Sequence, residues 1–568
     1  MPAKSFFPDK VYIMKNIFII PILTLFVLTS LLQARPIQFH VINGCTNQKA
    51  AAKVTAAQGT TPLLPAVRQG NSHYDNDPAK FYTLGDFTLE VPAGNITVRL
   101  EKGLLFRVAD YSLNVPASGP SSVTLAVYPW IDYAKYGWYP GDYHHHDTRS
   151  THAVDNLIAV FAAESRDFTG IGCYNDGNTY TPSPSAPASA PQTAGFGDAS
   201  DYFLQGACVS SGQEYIANNF GHSVIMCADT LVQANGANTN CNLYPPPAII
   251  YDQARQHKGF TVYCHANTYG SDYVTTAALR KLDVTEQNGI LSYGGVYDMV
   301  QTWFTCHNSG RTTAFGLGSD NIMSVGTNMA YIADTLSPRA WMQSMTWGSS
   351  FPTDGPLVFF QINHQATGQK KGQGQFVTFP GTAPQTVEFE ATALSERFPI
   401  KRIRLRQNGM YHQDVATVNA DSTGRRAYLK TTTTLSKSAW FCVIVECDST
   451  EAISGAITVM LDRQLPVVRS SDPYTVCSVD DAISTVQTSL TAVQGRSYST
   501  QAQKDTTVAL YTKAKAFYTS LISAPPSNDP APGPVTGLAA RISPRTQADY
   551  LAIPDVLPAP AQLVPVWN

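Results

Sequence analysis

Phe87-Thr88-Leu89-Glu90-Val91 and Ile96-Thr97-Val98-Arg99-Leu100 alternate apolar and polar residues, the period of a strand with one buried face. Pro92-Ala93-Gly94-Asn95 between them is turn chemistry and predicts a hairpin. Val123 to Val127 predicts a further strand, so residues 35–130 read as an N-terminal β-sandwich. From 131 to 355 strand-like and helix-like stretches alternate, which points to an α/β unit. Inside it, Thr181 to Ala194 is a Pro/Ser/Ala tract that predicts a surface loop. Strand patterning returns at Val387-Glu388-Phe389-Glu390-Ala391 and over Ile400 to Leu405, and Trp440 to Glu446 reads as a buried strand. With a tight turn at Asn408-Gly409, residues 356–465 predict a C-terminal β-sandwich. Residues 466–568 divide into a polar helical segment, Val479 to Leu521, and a Pro-rich tail expected to run extended over the surface.

The first residues change where the chain is expected to work. Lys10 and Lys15 precede the apolar run Ile17 to Leu32, and Ala34 follows as a small residue for cleavage. Residues 1–34 thus read as a signal peptide of an exported protein, periplasmic or secreted, with Met14 as an alternative start. An uncleaved anchor is the competing reading; the shortness of the run and Pro21 favour cleavage. No stable membrane insertion is expected after it. The charge of -3 and the absence of a basic face exclude nucleic acid as the expected partner, leaving a small-molecule or oligomeric substrate. The 10 cysteines form no CxxC pair, so a structural zinc knot is not indicated, although export permits disulfides.

Nine of the 12 histidines fall between residue 131 and His364. In Gly141-Asp142-Tyr143-His144-His145-His146-Asp147 a strand would place His144 and His146 on one face and His145 on the other, so two imidazoles could chelate one ion. A polar His-rich turn is the plainer alternative. Replacing His145 is accordingly expected to be much milder than replacing His144. Glu214, followed by His222, supplies a second pair of good ligands for zinc, manganese or iron, a weak signal alone. Phe260 to Cys264 is an apolar strand that ends at His265, and Phe315-Gly316-Leu317-Gly318-Ser319 ends at Asp320. Strand ends are where barrel-type α/β folds place their chemistry; a hydrogen-bonded His and a helix-capping Asp are the alternatives. No Gly-x-Ser-x-Gly motif is present, which argues against a serine esterase.

In this order and spacing the motifs resemble the PHP (polymerase and histidinol phosphatase) superfamily of metallohydrolases, and within it the CehA/McbA group. The approach Gly137-Trp138-Tyr139-Pro140-Gly141-Asp142, the turn Val91-Pro92-Ala93-Gly94 and the stretch from Trp303 to Tyr331 carry the closer likeness. The resemblance implies a distorted (β/α)7 barrel flanked by the two β-sandwiches. It implies one ion held by His144, His146, Glu214 and Asp320, with Glu214 bridging to a second held by His222 and His265. One or two divalent ions per chain are therefore expected, zinc foremost, manganese or iron otherwise. Gly177 and Asn321-Ile322 stand where members with a third metal carry histidines, which limits the count to two; Asp176 is left as an outer ligand. The implied activity is a hydrolase that uses a metal-bound hydroxide to cleave an ester, carbamate, amide or phosphoester bond. Glu214 and Asp320 are its catalytic carboxylates, and His307 and Arg311 candidate contacts to substrate or leaving group. The competing reading is a degenerate barrel acting as a non-catalytic binding protein.

Overall fold

The computed structural model describes residues 34–66, 78–145, 154–175, 198, 201–217, 219–230, 232, 243–266, 272–288, 300–320, 326–364, 368–409, 414–472, 477–523, 552–560 and 562–567. The expected signal segment, the Pro/Ser/Ala tract, Asp176, Gly177, Asn321, Ile322 and His146 lie outside these residues, apart from Ala34.

The site-bearing unit is built on nine strands: β1 (Trp138–His145), β2 (Phe168–Asn175), β3 (Ala207–Ala217), β4 (Gly221–Met226), β5 (Phe260–Cys264), β6 (Val284–Asn288), β7 (Ala314–Gly318), β8 (Thr327–Tyr331) and β9 (Ser350–Thr353). They lie in the order β7-β6-β5-β4-β3-β2-β1-β8-β9. Neighbours β1–β2, β2–β3, β5–β6 and β6–β7 run parallel, whereas β3–β4, β4–β5, β1–β8 and β8–β9 run antiparallel.

The expected (β/α)7 barrel is therefore corrected to a large mixed sheet with few helices. The physical cause is local. The link from Ala217 to Gly221 is short enough for a tight turn, closed by the Phe220 N–H on the Ala217 carbonyl. A turn of that length returns the chain antiparallel, whereas a parallel neighbour needs a long crossover. Beyond β9 the same sheet runs on through strands 451–453, 439–447, 400–407 and 416–419 without closing into a ring of alternating strands and helices. Strand residues outnumber helix residues about two to one.

The N-terminal residues form two sheets. Strands 566–567, 122–127, 35–43 and 86–91 make one; strands 61–62, 52–58, 94–101 and 109–115 make the other, with 80–83 paired to 52–58. The hairpin expected across Pro92–Asn95 is not formed. Strand 86–91 pairs with 35–43, and strand 94–101 pairs with 52–58 and 109–115, so the turn carries the chain from one sheet to the other. Gly94, at φ 121°, supplies the backbone conformation for that crossing.

A second pair of sheets follows. Strands 369–372, 357–364, 385–394 and 426–435 face the extension of the central sheet, with Phe389 and Phe441 in ring contact at 4.5 Å. One apolar core runs from Ile37 through Trp138 to Phe441. Trp138, at the start of β1, touches Tyr331, Phe351 and Phe359 at ring distances of 5.7, 5.3 and 5.6 Å. The strand that ends in His144 and His145 is thus anchored in a core that both flanking units share.

Helices α1 (Val154–Ala163), α2 (Pro247–Gln256), α3 (Asp272–Ala278), α4 (Gln301–Asn308) and α5 (Pro338–Thr346) surround the central strands. The polar segment forms α6 (Val479–Gly495), opened by a capping box of Ser478 and Asp481, and α7 (Gln501–Ser523). In α7 the buried residues Thr507, Tyr511, Ala514, Tyr518 and Leu521 recur at steps of three and four, one face of a helix. That face docks on α3, where Tyr518 donates to the Val274 carbonyl at 2.7 Å. The Pro-rich tail crosses the N-terminal sheets: the Leu557 N–H donates to the Trp130 carbonyl at 2.8 Å, and Val566–Trp567 adds an antiparallel strand to 122–127. No described helix is long and apolar enough to cross a membrane.

Asp272, the first residue of α3, is buried against Tyr511 of α7 and its own Thr275. Burial pushes its carboxyl up to about 7, against the opposing influence of the nearby Tyr511 and Thr275 hydroxyls. A carboxyl raised on folding binds its proton more tightly in the folded chain, so its stabilisation is full below about pH 4 and declines as pH rises towards 7. Asp272→Asn is expected to flatten the loss of stability between pH 5 and pH 8, with the variant the more stable at pH 8. Denaturant titrations at the two pH values measure this; parallel pH slopes for the two proteins would refute it.

Candidate metal centre

Glu214 and His222 come together through the β3–β4 turn. The ladder pairs Glu214 with Val224 and Ile216 with His222, so Glu214 and His222 are diagonal neighbours on one face. His222 Nδ1 lies 3.1 Å from Glu214 Oε1. On the other side of β4, His222 is directly opposite Cys264 of β5, which places Cys264 on that same face. His265 follows as the first residue beyond β5. It takes a left-handed backbone at φ 34°, which breaks the alternation and turns its ring to the side Cys264 occupies. Asp320 likewise stands beyond the end of β7, at φ 50°. Two residues in this sparsely populated region, each next to a strand end, concentrate backbone strain at one place.

His144 and Asp320 meet by backbone contact. The Asp320 N–H donates to the His144 carbonyl at 2.7 Å, and His145 and Asp320 form an isolated parallel bridge. Around the resulting cluster His144 Nε2 lies 3.8 Å from Glu214 Oε1 and 3.9 Å from Asp320 Oδ1. His265 Nε2 lies 3.5 Å from Glu214 Oε1 and 3.7 Å from Asp320 Oδ2. These four spacings are too long for strong hydrogen bonds. They are close to the roughly 3.4 Å that separates two donors bound tetrahedrally about 2.1 Å from one ion. Three overlapping groups converge, His144/Glu214/Cys264, His144/His265/Glu286 and Glu214/His222/His265, each with ligand atoms within 4.8 Å of one another. These buried His, Glu and Cys groups could bind a divalent metal ion.

The electrostatics agree with that chemistry. His144 is fully buried, and burial works against a charged ring. The Glu286 carboxylate, ahead of Cys264, overrides this and carries the His144 pKa well above the usual imidazole range. Burial, followed by Glu286, pushes the Cys264 thiol well above its ordinary value. The cluster is a place where positive charge is strongly favoured, and carboxylates at this depth are costly without it.

Asp142 and Arg166 support the cluster from beneath. Asp142 accepts from the His144 N–H at 3.0 Å, from the Ser319 N–H at 3.4 Å and from Arg166 Nη1 at 2.7 Å. Arg166 also donates to the Gly326 carbonyl at 3.1 Å. The pair is buried and ties β1 to both ends of the segment that carries Asp320.

Of the residues expected at the site, the structure brings together His144, Glu214, His222, His265 and Asp320. His307 is not among them. It is buried between Trp303 and Trp440, at ring distances of 5.2 and 4.9 Å, with Nε2 on the Thr313 carbonyl at 2.9 Å. Burial takes its pKa down to about 4. Arg311 lies 3.5 Å over the Phe517 ring of α7, a packing contact. His145 does point away from the cluster, but into the interior: Nδ1 is 2.9 Å from Ser319 Oγ and the ring is edge-on to Phe161 at 5.1 Å. Cys264, Glu286 and the Asp142–Arg166 pair were absent from the expected set. Glu286 had no clear sequence signal: it sits in the largely polar strand Val284–Asn288, which pairs with the glycine-rich β7.

No protein-family model matches the chain, and no curated protein matches it. Among solved structures the chain is similar to PsfC from Pseudomonas syringae PB-5123, at 12% identity and TM-score 0.27 over 37% of this chain and 90% of that one. It is also similar to the lesion-specific endonuclease PfuEndoQ from Pyrococcus furiosus, at 13% identity and TM-score 0.25 over 37% of this chain and 56% of that one. Scores of this size define no shared fold.

Removing one member of the buried Asp142–Arg166 pair leaves the other charged and uncompensated. Arg166→Met is expected to cost about 3–5 kcal/mol of stability, read as a lower midpoint in urea with an unchanged slope. A loss under 1 kcal/mol would show that the pair is not what ties these segments together.

Proposed function

We propose that this chain is a metal-dependent hydrolase whose ions are held by His144, Glu214, His222, His265 and Asp320, with His146 completing the set from outside the described residues. The supporting observation is the convergence of three chain segments on the Glu214 carboxylate, with its Oε1 3.1, 3.5 and 3.8 Å from the rings of His222, His265 and His144. A divalent ion bound there supplies Lewis acidity and lowers the pKa of a water from 15.7 to about 7, so no nucleophilic side chain is needed.

The chain's own groups divide the remaining tasks. Glu214 faces three imidazoles through one oxygen and would help hold an ion there. His144 has no exposed surface and forms the floor. The Asp320 side chain is 22% exposed and that of His222 12%, so substrate approaches from their side. Asp320 is the carboxylate best placed to orient the attacking water and hold its proton at an Oδ atom. The bond cleaved is proposed to be an ester, carbamate, amide or phosphoester. Export is proposed as well, on the charged and then apolar residues Lys10 to Leu32.

Elemental analysis of protein purified without chelating resin is expected to give one or two zinc, manganese or iron ions per chain. His144→Ala and Glu214→Ala are expected to lose metal and hydrolytic activity together while remaining folded. A wild-type protein that takes up no ion when offered each of the three metals would sink the hydrolase reading and favour a binding protein. His144→Ala with full metal content would sink the ligand assignment alone.

A further inference from the structure

Glu286 belongs to one of the three groups that could hold an ion but lies outside the ligand set proposed above, and it touches the segments that carry His144, His265 and Asp320. Both of its carboxylate oxygens are 2.9 Å from His144 Nδ1. Oε1 accepts from the His265 N–H at 3.4 Å, and the Glu286 carbonyl from the Ala266 N–H at 3.3 Å. It is buried, with 1% of its surface exposed. On the next strand, a Cβ at Gly318 would come within 2.5 Å of the carboxyl, so only glycine lets β7 approach this closely. The glycine two places before Asp320 is thus explained by the Glu286 side chain.

We propose that Glu286 is a positioning residue for the metal centre. It accepts the Nδ1 proton of His144, and so fixes the ring in the tautomer whose Nε2 lone pair faces Glu214 and Asp320. A neutral imidazole carries one proton, so a carboxylate that takes the hydrogen bond at one nitrogen leaves the other as a ligand. Carboxylate partners of this kind hold the ring direction and raise ligand basicity. The geometry sets Glu286 apart from the ligands: its oxygens lie at hydrogen-bond distance from Nδ1, whereas the cluster contacts of His144 are made by Nε2. This inference rests on the metal-centre reading above.

The test is zinc affinity, measured on the full chain by competition with a chromophoric chelator, with zinc stoichiometry and melting temperature recorded alongside. Glu286→Gln removes the charge and keeps the shape; Glu286→Asp keeps the charge and withdraws it by one methylene. Each variant is expected to bind the same number of zinc ions as wild type, about 10- to 100-fold more weakly. A fall in melting temperature that leaves affinity untouched would show a purely structural role and overturn the proposal. Loss of a whole ion with the remainder bound at full affinity would make Glu286 a ligand and overturn it as well. If only one variant folds, that one decides by the same readings. Wild-type protein that binds no zinc, manganese or iron refutes the metal centre and this proposal with it; wild-type affinity in a folded variant refutes this proposal alone.

Discussion

The hydrogen bond from the Asp320 N–H to the His144 carbonyl joins two strand ends that are far apart in the chain, and the meeting of His144 and Asp320 in the cluster depends on it. It fixes β1 against the segment beyond β7, so an imidazole from one and a carboxylate from the other face the same space. Asp142 reinforces the junction by accepting from backbone N–H groups on both sides, and Arg166 neutralises Asp142 without turning towards the cluster. The support is thereby balanced in charge, and the unbalanced carboxylates are confined to the place where the ligand atoms meet.

That separation of roles explains how the same depth holds two kinds of ionisable group. Asp142 and Arg166 satisfy each other, as buried charges generally must. Glu214, Glu286 and Asp320 instead face imidazoles, whose charge can change or be replaced by that of an ion. A chain that stabilises all its buried carboxylates with arginine would have no remaining affinity for a cation. This one places its arginine beneath the site.

The proposed ligands were legible because each announces itself over a few residues: a His-rich strand, a Glu followed by a His, a His and an Asp at the ends of apolar strands. The architecture was less so. The alternation that suggested an α/β unit is present in stretches, but the (β/α)7 barrel implied by the resemblance is not: the short Ala217–Gly221 connection decides strand direction, and its effect passes along the sheet. The hairpin read across Pro92–Asn95 failed for a related reason. Alternation shows which face of a strand is buried and does not show which strand it pairs with; strands 86–91 and 94–101 both found partners elsewhere. Glu286 was hidden because its role is defined by His144, 142 positions away. His307 looked like a site residue by its place in the sequence, and its indole neighbours become apparent only when Trp440 is brought beside α4.

The core that runs from Ile37 through Trp138 to Phe441 bears on how this chain can be divided or recombined. Boundaries near residues 130 and 355 look like natural joints in the sequence, yet a cut at either would bare a broad apolar face on both pieces. Trp138 would lose Phe359 in one case or the sheets beneath it in the other. The fragment that carries the cluster is therefore not a portable module. A gene fusion that moved this chemistry into another protein would have to carry the flanking sheets and the docked helices α6 and α7 with it, so the heritable unit is the stretch from Arg35 to Trp567.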